Sequence, residues 1–151
     1  EMSDLGFNYR ITDFQCALGI SQLSKLDKFI NRRKEIAATY DEKLKEHPFV
    51  SPLYRFDFDS AYHLYVAMID YEAVGVSRKE LFGRLNGKKI FPQVHYIPIN
   101  MQPYYRGLGY DPYDTPKALE YYRRCISLPI YPDLTDDLQD YVLSCLFGAL
   151  K

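Results

Sequence analysis

A loop that contains an amide and an arginine runs directly into the start of a predicted helix near the N-terminus. Thr12 is a suitable N-cap, and Gln15 stands three positions later, which is the spacing of a capping box. The free N–H groups and the positive dipole end of such a helix favour a phosphate or a carboxylate. Asn8 and Arg10 add one neutral and one charged donor just upstream. The pattern therefore predicts an anion site, and an ordinary capped helix with a solvated arginine is the alternative.

A single histidine lies near the end of a predicted strand that spans residues 90–96. His95 and Gln93 fall on the same face of that strand, and a long loop follows them. A histidine in such a position can serve as an acid, a base or a donor to a substrate oxygen. A hydrogen-bonded structural histidine in a tyrosine-rich sheet is the alternative.

Two tyrosines and an arginine are adjacent in the long loop, at Tyr104, Tyr105 and Arg106. Tyrosine rings can stack on a base or a sugar, and an arginine can pair with a phosphate. The same tyrosines can equally serve to anchor the loop. Long loops inside compact domains tend to carry function, so this one is a candidate binding element.

Several patterns of known chemistry are absent from the sequence. It contains no glycine-rich phosphate loop, no nucleophile elbow and no pair of carboxylates spaced for acid–base work. Its three histidines share no ligand spacing with its three cysteines, so no metal site is predicted. Its lysines lie mostly in charged, solvated contexts, whereas a Schiff-base lysine needs burial or a cationic neighbour. We therefore expect the chain to provide only part of an active site.

The composition is that of a folded domain without a broad charged surface. Hydrophobic residues make up 47% of the 151 residues, which excludes a disordered tail. The net charge of −1 excludes an extended basic surface for nucleic acid or anionic membrane. No stretch is apolar enough to span a membrane, and the three cysteines without CxxC spacing predict a reduced, cytoplasmic setting. Because residue 1 already lies in a loop that leads to a helix, we expect a fragment of a longer protein.

A long helical arm is predicted for the N-terminal third of the chain. Its first part follows the Thr12 cap, and from Leu23 onward apolar residues recur with the period of an amphipathic helix that ends near His47. Gly19 allows either a kink or a close helix approach. The first half is apolar on more than one side, so we expect burial against its own domain and against a partner subunit.

The remaining two thirds of the chain predict a small sheet covered by helices. Residues 62–69 form a strand that is apolar on both faces, which predicts a central position in the sheet. The other predicted elements are a helix capped by Ser77 that ends at Asn86-Gly87, the strand 90–96, a helix from Thr115 to about Arg124, an extended piece at 127–132 and a helix from Thr135 to about Ala149. This order indicates an α+β or α/β domain.

Three runs of residues, in this order, resemble the C-terminal part of the DegT/StrS-type aminotransferases, which are pyridoxal phosphate enzymes that act on nucleotide-linked keto-sugars. The first is GFNYR at residues 6–10 with the capped helix and the run 25–40 behind it. The second is VHYIP at residues 94–98 with QPYY at 102–105. The third is SLPIYP at residues 127–132 before a threonine-capped helix. Together the runs cover nearly the whole chain.

The resemblance implies a fold-type I transferase, of which this chain is the small C-terminal domain together with the arm that leads into it. Residues 1–47 would form a helical arm that contributes to the dimer interface, and residues 48–151 would form the small domain. The catalytic lysine and most contacts to the pyridoxal phosphate cofactor would lie in a large domain upstream. The isolated fragment is therefore expected to be inactive.

The same resemblance implies roles for individual residues. Asn8 would reach the phosphate of the cofactor bound in the neighbouring subunit of a homodimer with shared active sites. His95 and Tyr96 would approach the nucleotide-linked sugar, and Arg10 would support the loop or a carboxylate. The implied reaction transfers an amino group, with glutamate as donor, to a nucleotide-linked 4-keto-6-deoxy sugar, as in pseudaminic-acid or other surface-polysaccharide synthesis.

Two other functions stay open. A dehydratase of the same branch keeps the fold and the cofactor but has a histidine in place of the lysine, at a position outside this sequence. In a non-enzymatic module, the helical arm and the tyrosine-rich loop would form a binding surface.

Overall fold

The computed structural model describes residues 6–7, 9–53 and 60–151, in which helices surround a three-stranded antiparallel sheet. In chain order the elements are α1 (Asp13–Leu23), α2 (Leu26–Lys45), β1 (Val50–Pro52), β2 (Tyr65–Ile69), α3 (Tyr71–Val74), α4 (Arg78–Asn86), α5 (Pro103–Gly107), α6 (Pro116–Arg124), β3 (Cys125–Leu128) and α7 (Asp136–Ala149). Short 3-10 turns at Ile99–Met101 and Pro112–Asp114 flank α5. The predicted class, helices packed on a small sheet, is confirmed.

The N-terminal arm consists of two helices rather than one. The predicted capping box begins α1: the Thr12 Oγ1 atom accepts from the Gln15 N–H at 3.3 Å, and the Gln15 side chain accepts from the Thr12 N–H at 2.8 Å. The arm breaks at Ser24-Lys25, and α1 continues through Gly19. A Cβ added at Gly19 would meet no atom within 4 Å among the described residues, so neither predicted role of that glycine is seen there.

The two helices of the arm differ in burial. No residue of α1 is buried, whereas α2 buries a stripe made of Ile36, Ala37, Tyr40 and Leu44. This stripe packs against β1 and belongs to the main core. The expected burial of the first half of the arm against its own domain is therefore wrong for the described chain.

The central strand of the sheet is β2, as its apolar pattern predicts. It pairs antiparallel with both neighbours, so that Ile69 stands opposite Val50 of β1 and Tyr65 stands opposite Leu128 of β3. Alternate residues of β2 are fully buried, and those between them are half-buried. The helices α4 and α7 pack on each other, and α7 also contacts α2, which closes the core.

Buried polar side chains connect α2 to the C-terminal part of the chain. The Gln139 side chain is buried in α7, and its Nε2 atom donates to the Ile36 carbonyl at 2.8 Å. The Tyr40 hydroxyl donates to the Pro129 carbonyl at 3.0 Å. Because an unpaired buried donor costs free energy, these two bonds favour one alignment of α2 with the segment that follows β3.

The predicted strand at residues 90–96 does not form. The segment makes one isolated bridge, in which Gln93 and Ser127 exchange backbone hydrogen bonds at the edge of β3 that faces away from β2. Pro92 lacks an N–H group, so it cannot continue a ladder of hydrogen bonds. His95 and Gln93 thus lie on an irregular segment beside β3, and not on one face of a strand.

The predicted helices of the C-terminal part are confirmed with one difference in capping. Ser77 and Glu80 form the predicted capping box of α4, and the Thr135 side chain accepts from the Leu138 N–H at the start of α7. Thr115 precedes α6 but makes no side-chain cap bond.

Among the described residues, no helix combines the length and the apolar composition that a membrane crossing requires.

His47 gives the fold a pH-dependent contribution to stability. Its ring stacks on Phe147 with 4.7 Å between centroids, and its Nδ1 atom accepts from the Phe49 N–H at 3.3 Å. Burial lowers the pKa of His47, and the charge of Lys151 lowers it further. Because the fold favours the neutral ring, the contribution is complete above the unfolded pKa of about 6.5 and is lost as the pH falls below that value.

We therefore expect the free energy of unfolding, measured by urea titration, to fall between about pH 7.5 and about pH 5.5. The variant His47→Gln should flatten this decrease. The matched variant His63→Gln changes an exposed histidine and should leave the decrease unchanged. Equal pH dependence in the wild type and in His47→Gln would contradict the assignment.

Candidate functional site

His95 is held against β3 by a buried serine. Its Nδ1 atom lies 2.8 Å from the Ser127 Oγ atom, and Ser127 is buried. The same serine exchanges backbone hydrogen bonds with Gln93, at 2.7 Å and 3.3 Å. One residue of β3 therefore fixes both the path of the segment around Gln93 and one nitrogen of the imidazole.

A tyrosine from α6 holds the backbone of His95. The Tyr121 hydroxyl donates to the His95 carbonyl at 2.8 Å. Burial raises the pKa of Tyr121 to about 12, so the hydroxyl keeps its proton at neutral pH. The ring and the carbonyl of His95 are thus bonded by side chains from two different elements.

Tyr96 lies beside His95 and extends the polar surface. The two rings meet edge to face, with 4.7 Å between centroids, and the peptide bond between the residues is cis. Tyr96 is 71% exposed and His95 is half-buried. The pair therefore presents an imidazole nitrogen and a phenol hydroxyl that can hydrogen-bond to a polar ligand.

The loop that follows this pair is closed by a buried asparagine. The Asn100 Nδ2 atom donates to the Asp111 carbonyl at 2.7 Å and to the Thr115 Oγ1 atom at 3.0 Å. These bonds tie the loop to the start of α6. A mostly apolar cavity of about 500 Å³ lies against this loop, lined by Pro98, Ile99, Asn100, Tyr105, Tyr110, Asp114, Thr115 and Ala118.

Three tyrosines of the loop form a cluster in which Tyr105 contacts both of the others and is the least exposed. Tyr105 packs edge to face on Tyr104 and on Tyr110, with centroids 5.4 Å and 6.0 Å apart. Tyr104 stays 72% exposed, and Arg106 is also exposed. Tyr105 therefore anchors the loop, while Tyr104 and Arg106 are accessible to a ligand.

The predicted anion site at the start of α1 is described only in part, because Asn8 lies outside the described residues. Arg10 is exposed and lines a shallow hollow together with Tyr9, Ile11 and Gln15. Among the described residues, no hydrogen bond, ion pair or ring contact joins Arg10 to His95 or Tyr96. The structure thus brings His95 and Tyr96 together and leaves Arg10 apart from them.

The lysines of this chain lie near its surface. All ten fall within the described residues, and none of them is buried. Among the residues that the structure describes, no group of three His, Cys, Asp or Glu side chains is arranged to hold a metal ion.

Sequence reasoning missed three residues that organise this site, namely Ser127, Tyr121 and Asn100. Ser127 stands 32 residues from His95, and Tyr121 stands 26 residues from it. Ser127 lies in the extended run SLPIYP, Asn100 lies in the long loop after residue 96, and Tyr121 lies in the predicted helix that ends near Arg124. No local spacing could have connected these residues to His95.

The chain matches a known protein family along almost its whole length. The model of the DegT/DnrJ/EryC1/StrS aminotransferase family matches residues 1–147. The spore coat polysaccharide biosynthesis protein SpsC of Bacillus subtilis is 37% identical over an aligned length of 154, which covers all of this chain and 40% of that protein. A UDP-4-amino-4,6-dideoxy-N-acetyl-beta-L-altrosamine transaminase of Campylobacter jejuni is 33% identical over 152 residues, with the same two coverages.

Solved structures give the same result. Helicobacter pylori PseC, an aminotransferase involved in the biosynthesis of pseudoaminic acid, superposes with a TM-score of 0.89 at 30% identity, over 99% of this chain and 40% of PseC. Streptococcus pneumoniae Spr1654, in its PLP-form, superposes with a TM-score of 0.82 at 28% identity, over 93% of this chain and 36% of that protein. The chain thus spans about 40% of the length of the curated relatives it matches.

Because Asn100 closes the loop, Asn100→Ala should loosen residues 99–115. We expect faster amide hydrogen exchange in this loop, measured by mass spectrometry, and a loss of about 1–2 kcal/mol in the free energy of unfolding. The control Asn31→Ala removes an exposed asparagine from α2. It should neither speed amide exchange in the loop nor lower the free energy of unfolding. Unchanged exchange in the loop of Asn100→Ala would refute the closing role.

Proposed function

Because the chain belongs to the DegT/DnrJ/EryC1/StrS aminotransferase family, we propose that it is the C-terminal part of a pyridoxal phosphate-dependent sugar aminotransferase. The observation that carries this proposal is the superposition on PseC over 99% of the chain but only 40% of PseC. Residues 1–47 would be the arm that leads from a large upstream domain, and residues 48–151 the small domain. The reaction would transfer an amino group from glutamate to a nucleotide-linked 4-keto-6-deoxy sugar in surface-polysaccharide synthesis.

The described residues at the start of α1 are suited to bind the phosphate end of pyridoxal phosphate. The start of α1 carries free N–H groups and a positive dipole end, and the exposed Arg10 lies just before it. We propose that Asn8 donates from this loop to the cofactor phosphate of a neighbouring subunit. None of the lysines of this chain is buried, so they do not fit the covalent link, which we assign to a lysine of the upstream domain.

We propose that the chain's part in the reaction is to bind and orient the substrate. When bound, pyridoxal phosphate supplies the electron sink that labilises a Cα–H bond. His95 and Tyr96 offer hydrogen bonds to the nucleotide-linked sugar, and Arg10 is assigned to the same substrate or to its loop. Because Ser127 and Tyr121 already hold His95, little further ordering is needed when the substrate binds.

The exposed apolar surface of α1 supports a homodimer with shared active sites. Phe14 is 87% exposed, and the other large apolar side chains of this helix are exposed as well, namely Leu18, Ile20 and Leu23. A surface of this kind is typical of a subunit contact. The three cysteines are free, which is consistent with the proposed cytoplasmic location.

The experiment that tests the proposal is to sequence the coding region upstream of Glu1 and to assay the encoded protein. A large domain with a lysine at its cofactor-linking position, and amination of a UDP-linked 4-keto sugar in the presence of glutamate, would support it. A histidine at that position would indicate a dehydratase. Without such a domain, the function would be that of a binding module.

The proposed role of Asn8 predicts a loss of cofactor affinity. In the intact protein, Asn8→Ala should weaken pyridoxal phosphate binding by about 1–2 kcal/mol, because one hydrogen bond to a charged group is lost. A titration followed by absorbance gives the dissociation constant, with Asn31→Ala as the exposed control. Equal affinity in Asn8→Ala and the wild type would remove Asn8 from the site.

Because none of the ten lysines is buried, we predict that this chain alone does not fix the cofactor at one site. After incubation with pyridoxal phosphate and reduction with borohydride, peptide mass spectrometry should find sparse labelling spread over several lysines. The intact protein should instead be labelled on a single upstream lysine. Stoichiometric labelling of one lysine in the isolated chain would overturn this division of roles.

A further inference from the structure

The hydrogen-bond partners of Ser127 decide which nitrogen of His95 carries the proton. Ser127 is 6% exposed, and in the described part of the chain the Oγ atom has one partner, the His95 Nδ1 atom at 2.8 Å. If Nδ1 carried the proton and donated it, the buried hydroxyl hydrogen of Ser127 would have no acceptor there. A buried donor without an acceptor is unfavourable, so the hydroxyl is the donor and Nδ1 the acceptor.

The backbone around this bond leaves little freedom for a different arrangement. Ser127 is fixed in β3 and exchanges backbone hydrogen bonds with Gln93. Tyr121 fixes the His95 carbonyl from α6 at 2.8 Å. The imidazole is therefore held at Nδ1. Its Nε2 atom has no hydrogen-bond partner among the described residues. The ring itself is half-buried and contacts the ring of Tyr96.

We propose that Ser127 is a positioning residue that holds neutral His95 with its proton on Nε2, so that His95 donates a hydrogen bond to a substrate oxygen. A neutral imidazole in this form cannot accept a proton at Nε2. Of the roles that a histidine can play at this position, acid, base or donor, this form excludes the base, and we assign the donor role to the Nε2–H group. The identity of the accepting oxygen, on the sugar or the phosphate of a nucleotide-linked substrate, rests on the proposed function.

The protonated nitrogen can be identified by NMR without any assumption about the reaction. The full chain is labelled with 15N in its three histidines, and the His95 signals are assigned from their absence in His95→Gln. In alkaline buffer the wild type should show an unprotonated Nδ1 and a protonated Nε2. Protonated Nδ1 in the wild type would overturn the proposal, whatever any variant does.

Variants at Ser127 test whether the serine sets this state. In Ser127→Ala the His95 signals should move toward a mixture of both neutral forms, and Ser127→Thr, which keeps a hydroxyl, should restore the wild-type state. Tyr121→Phe is the matched control, because it removes the bond to the His95 carbonyl and leaves the Nδ1 contact in place. If Ser127→Ala keeps the pure wild-type state, Ser127 does not set it and the proposal fails.

Kinetics of the full-length protein test the donor role. His95→Gln retains an N–H donor near the Nε2 position, so its KM for the sugar nucleotide should stay within a few-fold of wild type. His95→Phe should raise KM roughly tenfold with little change in kcat, and Ser127→Ala should raise it by a smaller factor. A large loss of kcat in both His95 variants, at constant KM, would mean that His95 moves a proton and would overturn the donor role.

The two kinds of measurement separate this inference from the proposed function. If the full-length protein shows no transamination, the proposed function fails, and the NMR result alone decides whether Ser127 sets the state of His95. If the protein is active but neither His95 variant changes KM, the substrate-binding role of His95 is refuted. The donor role then falls with it.

Discussion

The position of β3 is the constraint on which the candidate site depends. All four of its residues are buried, and its two edges are both used, one by β2 and the other by the bridge to Gln93. A strand that is bonded on both edges and packed on both faces cannot shift its register without breaking several interactions at once. The position of the segment that carries His95 is therefore set by its hydrogen bonds to β3 and not by its own strand-like composition.

The helix α2, which is the second helix of the arm, is attached to the core and to the segment after β3. Its C-terminal half belongs to the core, and its N-terminal half is tied to the segment after β3 by Arg32, which donates to the Leu134 carbonyl at 2.6 Å and pairs with Asp136 at 2.8 Å. Arg33 adds bonds to the carbonyls of Tyr62 and His63, at 3.1 Å and 3.2 Å. These side-chain bonds hold the N-terminal half of α2 against the rest of the described chain. The residues before Ser24 therefore extend from a helix whose position is fixed.

Local signals were enough to predict most helices, but not the contacts that form the site. Capping boxes such as Thr12 with Gln15 and Ser77 with Glu80 act over three residues, so the sequence contains their full geometry. The central strand β2 was also predictable, because its apolar pattern reflects burial on both faces. The segment 90–96 has the composition of a strand, yet Pro92 and a single available edge position limit it to one bridge. Ser127, Tyr121 and Asn100 act through partners that only the tertiary fold brings near.

The helix α1 gains little stability from burial in the described part of the chain. It has 11 residues and no buried side chain, and isolated helices shorter than about 12–15 residues are marginal in water. The capping box contributes only about 1 kcal/mol, which does not offset the exposure of side chains such as Phe14 and Ile20. The homodimer proposed above would bury this apolar surface and so stabilise the helix.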